Sequence, residues 1–167
     1  PLRNALSSAF KEKDGWTEGL AKFYYVHGQD FLYGDPNNLL VFADNHDLDR
    51  IYSALDTNFA NWKMAMALML TTRGIPCIYY GTEILMEGIE HTGHGNIRKD
   101  FPGGWESDSR NAFNPEERTA EEEAAFNYLS KLIKWRKSRN VIHTGKFKHF
   151  IPENDTYVYF RYNDEEC

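Results

Sequence analysis

The chain has 167 residues, of which 41% are hydrophobic, 26% charged and 15% aromatic, the usage of a globular protein rather than a disordered or fibrous one. Net charge is -6, from 19 Lys plus Arg against 25 Asp plus Glu, which excludes the basic field that a nucleic-acid or anionic-membrane partner requires. The longest strongly apolar run, residues 64–70, is far short of the ~20 that span a bilayer, and no segment has the order of a signal peptide. The chain opens on Pro1-Leu2 without an initiator Met, so its start reads as a cut or a processing site.

In chain order, residues 2–13 and 16–32 read as helices broken at Gly15, the second with Leu20, Phe23, Tyr24 and His27 on one face. "GDPNN" at 34–38 is a dense turn signal, and "LLVFA" after it reads as a strand buried on both faces. "FANWKMAMALMLTTRG" at 59–74 is apolar nearly all round, hence a buried helix, with Gly74 at its C-cap. "IPCIYYG" repeats the first strand's pattern and places Cys77 in a buried run, as an inert thiol that Cys167 does not pair with. Two buried strands joined through such a helix make a parallel βαβ unit with a right-handed crossover.

Residues 82–115 form a long irregular segment of the kind that serves as a lid or binding loop. A helix over 119–139 follows, opened by a capping box of Thr119 and Glu122, with Glu121 to Glu123 as a solvated first turn and Ala125, Leu129, Leu132 and Arg136 as one stripe. Past residue 141 the period changes, and "KFKHFI" and "TYVYFRY" alternate around "PENDT" as an antiparallel hairpin with a five-residue turn.

Two parallel strands do not make a stable sheet. The order therefore predicts a piece of a larger βα protein, or a chain whose strand edges are covered by self-association. In a (β/α)₈ barrel the strand bodies fill the core and polar residues at their C-terminal ends build the site. "DNHD" at 44–47 and "GTE" at 81–83 occupy those ends.

Asp47 has a local alternative as the N-cap of a helix beginning at Leu48. His46 between Asp44 and Asp47 makes a poor metal site, because adjacent residues seldom converge on one ion. Glu83 reads as a rim ion-pair partner. Arg50, three residues after Asp47, is placed to orient a nearby carboxylate. Phe101 and Trp105 read equally as loop anchors or as faces on which a ligand stacks.

"FADNHD" at 42–47 resembles the F-x-x-N-H-D motif of glycoside hydrolase family 13, the α-amylase family, and "GIPCIYYGTE" at 74–83 resembles that family's G-x-P-x-I-Y-Y-G-x-E segment. "NIRKDFPGGW" at 96–105 is similar to the loop after the eighth barrel strand, in the wording of the neopullulanase and cyclomaltodextrinase branch. The resemblance implies the C-terminal part of a (β/α)₈ barrel, its seventh and eighth strands with their helices, over 1–140, and the start of an all-β domain over 141–167. It implies a retaining α-glucan hydrolase, with a transglycosylase or a non-catalytic barrel relative as alternatives. The substrate would be an α-glucan oligosaccharide. Calcium belongs to the full-length parent if anywhere, and the compartment implied is periplasmic or extracellular.

The family's aspartate nucleophile and glutamate acid/base have no counterpart in this sequence, so the chain alone is expected to be inactive. Asp47 resembles the aspartate that holds sugar hydroxyls and stabilises the oxocarbenium-like transition state. His46 resembles a donor to a neighbouring hydroxyl of the same ring, and Asn45 a brace of the turn. Arg98 resembles an arginine that contacts a more distant glucose, although many members place an acid four positions before it, where this chain has His94.

Overall fold

The computed structural model of the chain describes residues 2–167. Helix α1 (Leu2–Lys11) packs on α2 (Leu20–Gly28). The second helix begins four residues later than its periodicity suggests, because the Asp14 carboxylate captures the Leu20 amide at 2.9 Å. The chain must also pass Gly19 at φ +62. Phe23 and His27 are buried, and α2 gives way to a 3-10 turn over Asp30–Leu32.

Strand β1 (Leu40–Phe42) is followed by the short α3 (Ile51–Ala54), by α4 (Phe59–Thr71) and by β2 (Ile75–Cys77). The two strands pair in parallel, Leu40 opposite Ile75 and Phe42 opposite Cys77, as the βαβ pattern requires. Asn58 caps α4 by accepting from the Asn61 amide at 3.1 Å. The helix buries Trp62, Ala65, Met66, Leu68, Met69 and Leu70, the larger of them each worth roughly 1.5–3 kcal/mol. Helix α4 is left at Thr72, so Gly74 is not its cap. With φ +107, and with Leu39 O and Val41 Cγ1 each 2.8 Å from where a Cβ would stand, Gly74 is instead the point where β2 comes against β1.

The strands are not buried on both faces. Leu40 is 63% and Ile75 51% exposed, and Cys77 is an exposed free thiol rather than a core one. Among the described residues each strand has a single neighbour, and a cavity of about 430 Å³ lined by Leu70, Ile75, Ile78, Ile133 and Arg136 runs along β2. The apolar pattern is that of strands with two neighbours, and one is supplied here.

The long segment after β2 contains 3-10 turns and one short helix, α5 (His94–Ile97). Helix α6 (Ala120–Lys137) carries both halves of the Thr119–Glu122 capping box and lays Ala125 and Leu129 into the core beside α4. Its acidic first turn is not simply solvated. Glu122 pairs with Arg110 at 2.7 Å, Glu123 pairs with Arg118 at 2.8 Å, and Arg118 lies 3.8 Å from the centre of the Phe126 ring. The predicted stripe includes Arg136 because its guanidinium donates to Leu70 O at 2.5 Å and Gly74 O at 2.8 Å, closing the carbonyl end of α4.

Helix α7 (Asn140–Thr144) leads into a hairpin of β3 (Lys146–His149) and β4 (Tyr159–Tyr162). The turn is tighter than five residues. Asn154 and Asp155 take φ +51 and +56 between a Glu153–Thr156 bridge, the two-residue form whose twist suits a hairpin. Phe147 packs its ring 5.0 Å from that of His27, and Tyr157 packs 5.8 Å from Phe23, fastening the hairpin to α2.

His27 makes this junction sensitive to acid. Its Nδ1 meets Phe23 O at 3.1 Å, and burial lowers its pKa from 6.5 to about 4. The folded pKa is depressed, so neutral His27 contributes its full stability above about pH 6.5, and that stability is lost as pH falls towards 4. Thermal melts across this window should show a falling Tm, with the slope reduced in His27→Leu.

Candidate active site

Directly after β1 the chain turns twice. Asp44 points inward and is buried: its Oδ2 accepts from the Ile51 amide at 2.9 Å, and Thr82 Oγ1 donates to the same carboxylate at 3.0 Å. Burial raises its pKa, against the opposing pull of those hydrogen bonds and of the Arg50 charge. The cap of the following helix is thus supplied by Asp44, and Asp47 is not an N-cap, since α3 begins at Ile51. Asn45 Oδ1 accepts from the Asp47 amide at 2.9 Å, a local side-chain turn that reverses the backbone. His46 and Asp47 therefore project from the end of the strand, with side chains 62% and 55% exposed and His46 Nε2 3.1 Å from Asp47 Oδ2.

The loop after β2 closes on this turn. Arg98 Nε donates to His46 O at 2.8 Å, and Nη2 to Asp47 Oδ1 at 2.8 Å. His94 Nδ1 lies 2.9 Å from the same Nη2, with its Nε2 3.7 Å from Glu90. The loops are stitched by the Arg50 amide on Gly88 O at 3.0 Å, the Gly88 amide on Ser53 Oγ at 3.0 Å and the Glu90 amide on Asp49 Oδ1 at 2.7 Å. Only glycine fits at 88, because a Cβ would lie 2.5 Å from Asn96 O.

The structure thus brings Asn45, His46, Asp47 and Arg98 together. Arg50 has a different place. It is fully buried, 4.1 Å from the Tyr79 ring centre and 4.8 Å from that of Tyr80, donates through Nη1 to Tyr80 O, and has no ion pair among the described residues. It supports the end of β2 rather than orienting a carboxylate. Glu83 likewise makes no rim ion pair among the described residues, and its Oε2 is buried without a hydrogen bond.

Phe101 packs on Phe113 with ring centres 4.5 Å apart, as a loop anchor, whereas Trp105 is 63% exposed. Among the described residues no group of three or more His, Cys, Asp or Glu side chains is placed to hold a metal ion. Asp44, which the sequence groups with the polar residues at the strand end, instead turns into the interior. Its partners lie seven and 38 residues away, and no local pattern marks them.

A sequence profile for the α-amylase catalytic domain matches residues 21–110, more than half of the chain, and one for the cyclo-malto-dextrinase C-terminal domain matches 147–167. The chain is 36% identical over 129 residues to a cyclomaltodextrin glucanotransferase of Bacillus licheniformis, an alignment covering 77% of this chain and 15% of that protein. It is 35% identical over 129 residues to an α-amylase of Niallia circulans, covering 77% and 21%. The alignments thus span about a fifth or less of the length of these relatives.

The crystal structure of the α-amylase from H. orenii superposes with a TM-score of 0.72 at 27% identity, over 98% of this chain and 36% of that one. Such neighbours are (β/α)₈ barrels, and the arrangement described here is consistent with part of one. On the catalytic-domain match, the chain belongs to the α-amylase family of glycoside hydrolases, family 13.

Proposed function

We propose that the chain is the C-terminal part of the catalytic barrel of a retaining α-glucan-active enzyme, with β1 and β2 as the seventh and eighth barrel strands and residues 141–167 opening a β-domain. The observation that carries this reading is the projection of His46 and Asp47 from the C-terminal end of β1, beside the C-terminal end of its parallel neighbour β2. In a barrel, that end is where substrate binds.

A retaining glycosidase places two carboxyl groups about 5 to 5.5 Å apart, one as nucleophile and one as acid/base. In this reading both come from outside the present sequence, and Asp47 has a third role. Its carboxylate accepts hydrogen bonds from sugar hydroxyls that strengthen as positive charge develops on the ring, so it stabilises the transition state more than the ground state. His46 donates to an adjacent hydroxyl, Asn45 holds the turn, and Arg98 closes the site from the β2 side.

The resemblance to glucanotransferases supports a second reading, in which another sugar rather than water captures the glycosyl intermediate. Incubating the full-length protein with maltoheptaose and following products by NMR and chromatography tests both. Shorter α-anomeric maltodextrins are expected for hydrolysis, and cyclodextrins or longer chains for transfer. Products of β configuration, or none at all, would exclude the retaining α-glucan assignment.

A further inference from the structure

We infer that Arg98 is a positioning residue for Asp47. The inference rests on the glucan reading above and deepens it.

Three observations carry it. First, one edge of the guanidinium spans two consecutive residues: Nε donates to the His46 carbonyl and Nη2 to the Asp47 carboxylate, each at 2.8 Å. A planar fork gripping a main-chain oxygen and the next side chain fixes that carboxylate relative to the backbone, which a point charge cannot do.

Second, Arg98 is itself held from both sides. Ile97 is fully buried, the Arg98 amide donates to His94 O at 3.1 Å, and the Tyr80 hydroxyl donates to Lys99 O at 2.8 Å. The last bond ties the arginine to the end of β2. Third, most of the side chain's donors are already engaged. His94 Nδ1 takes a further contact on Nη2 at 2.9 Å, which leaves Nη1 as the one guanidinium nitrogen without a hydrogen bond to a described residue.

In the open site this exposed pair stabilises little. Once a bound sugar excludes water the attraction strengthens, and the carboxylate is held where the ring develops charge. His94 faces Nη2 from four residues upstream and makes the third side of the clamp.

The test uses the full-length protein with Arg98→Gln and Arg98→Lys, on p-nitrophenyl α-maltoside, too short to reach a third glucose, and on maltoheptaose. Positioning predicts that kcat of Arg98→Gln falls by roughly 10²-fold on both substrates with KM little changed. Arg98→Lys should recover part of that loss, and Arg98→Gln should add nothing in an Asp47→Asn background.

A loss seen only with maltoheptaose, and mainly as a raised KM, would overturn the inference while leaving the glucan reading intact. A wild-type protein inactive on both substrates would overturn both together. Because Arg98 is partly exposed, circular dichroism of each variant should match wild type.

Discussion

Replacing Asp47 by Asn in the full-length protein is expected to lower kcat on maltoheptaose by a factor of about 10²–10³, or about 3–4 kcal/mol of transition-state stabilisation, the scale of one removed oxyanion-hole donor. The substitution is nearly isosteric and keeps an oxygen that can accept from Arg98 Nη2, so the turn and the clamp survive. What is lost is negative charge. Charge matters most when the ring carries positive charge, so the loss should appear in kcat more than in KM. Steady-state kinetics on the wild-type and Asp47→Asn proteins, with their melting curves, provide the measurement. A variant that keeps a tenth or more of wild-type kcat on this substrate, by the same scale, would show that Asp47 does not stabilise the transition state.

Removing the Asp44 carboxylate should produce the largest loss of stability at the site. It accepts from the Ile51 amide and from Thr82 Oγ1, and its charge lies near the buried Arg50. Asp44→Ala strands a buried amide and a buried hydroxyl. Together these effects amount to about 4 kcal/mol. For a chain of this size that corresponds to a Tm lower by about 8–16 °C, measured by calorimetry or circular dichroism. Asp44→Asn keeps an acceptor for the amide and should lose roughly half as much. A Tm shift of Asp44→Ala within about 2 °C would mean that this carboxylate does not join the two strand ends.

The two aspartates of one tetrapeptide therefore have opposite expected effects, Asp44 on stability and Asp47 on turnover. The sequence marked both as polar residues at a strand end, without separating them. Their roles follow from the turn that Asn45 makes with the Asp47 amide, which sends Asp44 inward and Asp47 outward.

Much of the framework was legible locally. Apolar runs around a buried helix specified two parallel strands, the Thr119–Glu122 pair specified the start of α6, and alternation past residue 141 specified a hairpin. These signals arise within one or two turns of chain, where backbone geometry fixes which side chains share a face. The candidate site was legible as a set of residues at strand ends. Its wiring was not, because Arg98 and Asp47 are 51 residues apart and Arg50 and Tyr80 are 30 apart.

The sequence by itself thus determined element type, strand direction and which tripeptide leaves the first strand, since each depends on periodicity and capping within a short window. Only the tertiary structure decided that Asp44 joins the strands, that Arg98 grips Asp47, that Arg110 and Arg118 neutralise the start of α6, and that Cys77 lies on an open edge. Each of those depends on which distant segments meet. The pairing of charges and the burial of a strand face are properties of the assembled neighbours, and local pattern carries no information about them.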